Sequence, residues 1–327
     1  MEFLQYNFIS DFFVMCLKGL ESIFSSYPLA IVVLTILIRL ATLPLDIKQR
    51  ENQRKMSALG PEIQSLQKRY ANNPQQMQRK QQELYRKMQV RPMMGCLPML
   101  IQLPILFAFF GAMRVLVAEQ IVGMVLDAAQ FGADTVTLPQ FFWVNNFWQP
   151  DSGIADIMPM ADDFMSFVSQ YSQTITPETM SLLASHDLLT YTGEAVSVNA
   201  DIYNSLASGI ISANGFEGFK NGWFILPALS GAALFLQQKF APQQANAAMQ
   251  AGQTEEQQQA QGCSNKAMMW IFPIFSIYIC ATSNAAFALY WFTSSIYAFA
   301  QTRVVDLIRK TRDKKKGKEI IVTSEED

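Results

Sequence analysis

Arg39 is the residue whose type and setting ask most for chemistry. Between Glu21 and Asp46 it is the only charged side chain, and it lies six residues before the run ends at Leu45. A guanidinium stays protonated and carries five N–H donors. In the middle of an apolar helix such a group costs about 2.5–3.5 kcal/mol, so it marks a partner, a water-filled cavity or an anion site. The other long apolar runs contain neither Asp nor Glu, which excludes an ion pair inside them. They do contain neutral polar groups: Gln102, Gln237, Gln238, Ser294, Ser295 and Gln301. Two readings stand at this level. In one, these groups line a hydrated groove around Arg39; in the other, the side chain snorkels to the headgroups and does nothing more.

Other chemistries have little to work with. His186 is the single histidine, and Cys16, Cys96, Cys263 and Cys280 share no short spacing. We therefore expect no metal site, disulfide framework or cofactor, and no catalytic residue. No phosphate-binding G-x-x-x-x-G-K-[ST] loop is present, so nucleotide hydrolysis is not expected. Asp162-Asp163 sits in an acidic stretch and reads as solvated rather than catalytic. The expectation is a protein that is not an enzyme.

The elements that must position Arg39 are legible as apolar runs. Half of the 327 residues are hydrophobic and 16% are charged. Arg91 and Arg114 bracket 22 uncharged residues, Lys220 and Lys239 bracket 18, and Ala267 to Thr302 holds 36. A bilayer core takes roughly 20 helical residues. The longest run would make a helix of roughly 54 Å, so it must fold back, with Thr282-Ser283-Asn284 as the polar turn. The sequence thus predicts an all-α integral membrane protein with five transmembrane helices, over 26–46, 93–116, 223–240, 266–282 and 284–303.

Basic residues collect on the cytoplasmic side and set orientation. Ile47 to Pro92 carries 11 of them against three acids, and Arg303 to Lys318 carries eight. Val117 to Gly222 has one basic residue, Lys220, against twelve acids. These counts agree on an N-terminus outside and a C-terminus inside. The first 25 residues lack a basic start, and Phe8, Phe12, Met15 and Leu20 recur at helical spacing. We read 1–25 as an amphipathic helix on the outer surface; a signal anchor, cleaved or not, is the alternative.

Segment 47–92 reads as a cytoplasmic helical hairpin. Met56, Leu59, Ile63, Leu66 and Tyr70 form one apolar stripe, Met77, Leu84 and Met88 another. Asn73 is placed to cap the second arm, with Pro74 in its first turn, and Gly60-Pro61 should kink the first. Arg79, Lys80, Arg86 and Lys87 on this hairpin, with Lys314, Lys315 and Lys316 in a basic tail over 304–327, suit a ribosome or anionic lipid; a merely solvated face is the plainer reading. The Gln/Ala-rich segment 241–265 reads as a flexible linker, and 117–222 as a partly helical outer cap.

Particular stretches now carry a resemblance. These are ILIRLATLPLDIK over 36–48, QRKMSALGPEIQSLQKRY over 53–70, PMMGCLPMLIQLPILFAFF over 92–110 and FWVNNFWQPD over 142–151. They continue with ILPALSGAALFLQQKFAP over 225–242, then MMWIFPIF and ALYWFTSSIYAFAQ within 268–301. In this order they resemble the five-span core of YidC-type insertases. The resemblance implies a groove open to cytoplasm and lipid, with Arg39 as its central arginine. Trp291 matches the family's aromatic position, Ser294 and Ser295 fall on the groove side, and Gln102 and Gln237 follow as weaker members. It implies nascent membrane proteins as substrates, a Sec translocon, the ribosome and lipids as partners rather than DNA, and the bacterial plasma membrane as location. With no large periplasmic domain, no additional first span and no lipoprotein box before Cys16, the chain is similar to the short form typical of Gram-positive bacteria. The pattern breaks over 152–221. An anion transporter or channel is the rival class, although no paired internal repeat is seen.

Overall fold

The computed structural model describes residues 8–91, 97–170, 175–192, 195–240 and 255–324, and these are predominantly helical. The chain opens with α1 (Phe8–Phe24), α2 (Tyr27–Ala58), α3 (Gly60–Arg69) and α4 (Pro74–Lys87), then α5 (Leu97–Phe131). Next come α6 (Ala161–Gln170), α7 (Pro177–Ser185), strands β1 (Leu189–Thr192) and β2 (Ala195–Val198), and α8 (Ala200–Ala213). Helices α9 (Ile225–Phe240), α10 (Glu255–Thr282) and α11 (Ala285–Ser324) complete the order. Tyr27–Met56 and Gln102–Phe131 are long and apolar enough to cross a membrane, and Met269–Thr282 is a shorter apolar helix.

The chain divides into two compact units. The first comprises Met1–Thr35, Gln102–Ser230 and Phe275–Trp291; the second comprises Ile36–Ile101, Gly231–Ile274 and Phe292–Asp327.

In the first unit, α1 buries Ser10, Phe13 and Leu17 on one face. Phe13 meets Phe109 of α5 at 5.9 Å, and Lys18 pairs with Glu119 at 2.7 Å. Phe8, Phe12 and Met15, three of the predicted apolar stripe, are exposed instead. The helix therefore has a second apolar face, directed away from the protein. Segment 161–213 has its own core: Phe164 stacks on Tyr203 at 4.7 Å, with Val168, Leu183 and Ile210 buried. The Tyr203 hydroxyl donates to the Pro159 carbonyl at 2.6 Å, and burial pushes its pKa up, so it stays a donor.

Asp151 ties this unit together. It is fully buried, and each carboxylate oxygen accepts two N–H bonds. Oδ1 takes the backbone N–H groups of Trp223 and Phe224 at 2.7 and 2.9 Å. Oδ2 takes Leu226 N–H at 2.7 Å and Trp143 Nε1–H at 2.9 Å. Three of these donors belong to residues at or just before the start of α9, whose N–H groups otherwise lack partners. Gly222, at φ +75°, leaves room: a Cβ there would lie 2.0 Å from Asp151 Oδ1.

In the second unit the hairpin core is Met56, Leu59, Ile63 and Val90, with Leu84 and Tyr85 against it. Val90 takes the place expected of Met88, which is exposed because the chain has left α4 by then. Asn73 Oδ1 accepts Gln76 N–H at 3.1 Å, capping α4. Asn52 closes the base, accepting from Arg91 N–H at 3.0 Å and donating to the Arg91 carbonyl at 2.8 Å.

Several expected boundaries move. The wholly helical expectation misses one antiparallel hairpin, β1–β2, where Thr190, Val196 and Val198 supply β-branched side chains. Helix α5 continues past 116 to Phe131 because Val117, Ile121, Val122 and Val125 stay buried beyond Arg114. The linker expected over 241–265 is helical from Glu255, and the tail expected over 304–327 belongs to α11 as far as Ser324. Gln, Ala, Glu, Lys and Arg are good helix formers, so a composition that looks unstructured can extend a neighbouring helix. Residues 241–254 lie outside the described residues. At Gly60-Pro61 the first arm breaks into two helices rather than bending, since proline removes a backbone donor. The helix break after Thr282 is sealed by Asn284, whose Oδ1 accepts Phe287 N–H at 2.8 Å.

Candidate functional site

Within the second unit, α2 and α11 run in the same direction and meet through polar side chains. Arg39 donates from Nε to Ser294 Oγ at 3.1 Å, and its Nη2 donates to the same oxygen. Seven residues on, Asp46 accepts from Gln301 Nε2 at 3.3 Å. Arg50 Nη2 donates to Thr302 Oγ1 at 2.7 Å, and Arg54 forms an ion pair with Asp306. The spacing explains the seam: positions 39, 46, 50 and 54 recur at helical intervals, and so do 302 and 306 and, two turns before them, 294. Ser294, Ser295, Gln301 and Thr302 are all buried on α11.

Arg39 itself is half-buried. Among the described residues no carboxylate pairs with it; its acceptor is a neutral hydroxyl. A hydroxyl has two lone pairs against five guanidinium donors, so Ser294 leaves most of the hydrogen-bonding capacity of Arg39 for water or an anion. The geometry can hold a positive charge in an otherwise apolar helix and offer it to something else.

The remaining predicted residues divide between the units. Ser295 adjoins Ser294, and Gln237 is half-buried on α9, both in the second unit. Gln102 and Trp291 belong to the first. Gln102 Nε2 reaches Tyr290 Oη at 3.5 Å, the outer limit for such a bond, and Tyr290 stacks on Phe109 at 3.8 Å. Trp291 packs on Phe287 at 5.6 Å, and its Nε1 has no acceptor among the described residues. On α4, Arg79, Arg86 and Lys87 are exposed, whereas Lys80 is engaged by Glu83 at 2.8 Å. That hydrogen bond pushes the Lys80 pKa up and the Glu83 pKa down. Lys314, Lys315 and Lys316 fall on α11, but their side chains lie outside the described residues.

Sequence reasoning missed the lower seam. Asp46 only marked the end of an apolar run, Arg50 and Arg54 counted as loop charge, and Asp306 as part of a tail. Their i,i+4 repetition beyond the apolar run was the available signal. Asp151 was likewise one acid among twelve, although it closes the FWVNNFWQPD segment. Among the described residues no three His, Cys, Asp or Glu side chains gather as a metal site would require.

The family described as 60Kd inner membrane protein matches residues 19–313. The Membrane protein insertase YidC of Fusobacterium nucleatum is 27% identical over 296 residues, covering 90% of this chain and 94% of the relative. Membrane protein insertase MisCA of Bacillus subtilis is 27% identical over 284 residues, covering 86% of this chain and 70% of that one. The Membrane protein insertase YidC of Clostridium perfringens is 39% identical over a shorter match of 143 residues, 43% of this chain and 53% of its own.

Proposed function

The chain belongs to the 60Kd inner membrane protein family, and from that premise we propose that it inserts newly made membrane proteins into the bacterial plasma membrane and helps them fold. The observation that carries the reading is Arg39, held on an apolar helix by the Ser294 hydroxyl with no carboxylate partner among the described residues. A charge fixed this way favours water around it. A substrate's short hydrophilic outer segment gains from both, since each lowers the electrostatic cost of moving polar groups partway across. The substrate's apolar helix then passes into lipid, and burial drives completion without nucleotide. A positive centre also favours acidic outer segments over basic ones.

In this reading α2, α5, α9, α10 and α11 each cross the bilayer once, with the N-terminus outside, α1 on the outer surface and the α3–α4 hairpin inside. The loop charge counts support it. Ser294, Ser295 and Gln237 line the groove with Arg39, and the roles of Trp291 and Gln102 rest on the resemblance alone. Exposed Arg79, Arg86 and Lys87 suit a ribosome or anionic headgroups, and a Sec translocon is the expected companion.

Purified chain in proteoliposomes tests this. Insertion of a single-span substrate with an acidic outer segment should slow roughly tenfold or more in Arg39→Glu, a barrier change of about 1.4 kcal/mol or more, and less in Arg39→Ala. Unchanged insertion in both variants overturns the mechanism. Anion flux without insertion would point instead to a transporter.

A further inference from the structure

Two carboxylates stand in the seam between α2 and α11, and only one of them meets a cation. Asp306 is held by Arg54, whereas Asp46 makes no ion pair among the described residues. Asp46 is half-buried and accepts one N–H, from neutral Gln301 at 3.3 Å. An ionised carboxylate has about four lone-pair sites, so most of its capacity is open. Aspartate is also a poor helix former, so α2 gains nothing from it as a helix. Nor does α2 close on the charge. Arg50 lies four residues on, in the order that most favours a pair along one helix. It feels the charge of Asp46, yet it donates to the Thr302 hydroxyl at 2.7 Å instead. The carboxylate is left facing α11 among neutral groups.

Arg39 lies on the same face. Arg39 and Asp46 are seven residues apart on α2, and their partners Ser294 and Gln301 are seven apart on α11. Two turns separate each pair, so guanidinium and carboxylate stand in one line, roughly 10 Å apart at 1.5 Å per residue. Neutral groups hold both, and both keep hydrogen-bonding capacity to offer. A positive charge alone would repel any basic residue in a passing segment; a carboxylate on the same line gives that residue a place. An extended chain advances roughly 3.3 Å per residue, so the two charges match an acid and a base about three residues apart.

We propose that Asp46 is a specificity-determining residue for insertion, receiving a basic residue of the substrate's outer segment while Arg39 receives an acidic one. This rests on the insertase reading and narrows its substrate class to outer tails in which an acid precedes a base. In the proposed orientation Arg39 lies further from the cytoplasm than Asp46. An N-terminal tail led by its first residues then brings its acid to Arg39 and the base that follows to Asp46.

Two single-span substrates of identical composition test it, inserted by the full chain in proteoliposomes. One carries an Asp-x-x-Lys outer tail and the other Lys-x-x-Asp, with Gly or Ser at x. Their net charge is the same, so only the order of charges differs. Wild type should insert the acid-first tail roughly three- to tenfold faster, the range for two partly screened charge contacts. Asp46→Asn should bring that ratio close to one, and Asp46→Glu should keep most of it. Asparagine still offers Gln301 an acceptor, so a merely structural role of Asp46 would leave the ratio unmoved. Equal rates for the two tails in wild type, or a preference that survives Asp46→Asn, overturns the assignment. Should the variant fail to fold, spacing decides in wild type: moving the lysine three residues further along should erase the advantage, and an advantage indifferent to spacing overturns the assignment. A purely acidic tail separates this inference from the reading beneath it. If its insertion depends on Arg39 while charge order is immaterial, only the role of Asp46 falls; if it ignores both Arg39 variants, the groove mechanism falls too.

Discussion

Two charged side chains, Asp151, fully buried in the first unit, and Arg39, half-buried in the second, are treated in opposite ways. Asp151 is saturated: four N–H donors, three of them from the backbone at α9, occupy both its oxygens. Arg39 is under-used, with the Ser294 hydroxyl accepting from two of its nitrogens. A charge whose hydrogen-bonding capacity is filled by fixed groups has nothing left to offer a ligand, and its role is to hold the chain. A charge left mostly unfilled keeps its capacity for water or substrate, and contributes correspondingly little to folding. Burial alone does not separate a structural charge from a functional one; the number and rigidity of its partners do.

The largest effect that could break this contrast is at Asp151. Asp151→Ala leaves three backbone N–H groups and the Trp143 indole without acceptors in a dry site. The expected loss is about 3–5 kcal/mol, comparable to breaking a buried charged pair, read as a lowered midpoint of thermal unfolding in detergent. Loss below about 1 kcal/mol would mean that water replaces the carboxylate, and that Asp151 is no more structural than Arg39.

How far the two were legible follows from the same contrast. Arg39 is conspicuous in sequence because it interrupts an apolar run, and its neutral neighbours on α11 are few enough to name. Asp151 is invisible to that reasoning. Its donors at 223–226 are some seventy positions away, and backbone donors carry no side-chain signature. The polar seam lies between these extremes. Arg50, Arg54 and Asp306 sit at regular spacing, yet charge counting absorbs them into loops. The apolar span expected to end at 116 belongs to a helix that runs on to Phe131, because the Arg114 guanidinium lies over the Phe110 ring at 5.7 Å and does not interrupt it. Gln- and Lys-rich helix extensions escaped because composition reports solubility more directly than conformation.

A middle-sized effect sharpens the Arg39 side. Ser294→Ala removes the hydroxyl but not the charge. If Arg39 is a held charge, stability should fall as it does for Asp151; if it is a charge on offer, water takes over. We expect a stability change of about 1 kcal/mol or less, together with slower insertion of acidic substrates because the guanidinium is no longer fixed. A threonine at 294 should restore most of the rate. A large stability loss with unchanged insertion would assign Arg39 to the same class as Asp151.

The smallest effect concerns the end of the seam. The Arg54 and Asp306 side chains are 39% and 32% exposed, so solvent screens their attraction. Exposed pairs of this kind are worth about 0.2–1 kcal/mol. Arg54→Ala and Asp306→Ala should each cost no more than that, and the double variant should show a coupling in the same range that shrinks as salt is raised. Exchange of the two charges, Arg54→Asp with Asp306→Arg, should recover most of the coupling. The seam between α2 and α11 would then be held weakly at Arg54 and at Arg39 alike. That is the physical condition for the two helices to separate around a substrate. A coupling above about 2 kcal/mol, insensitive to salt, would instead make this end a clamp as rigid as the one Asp151 forms at α9.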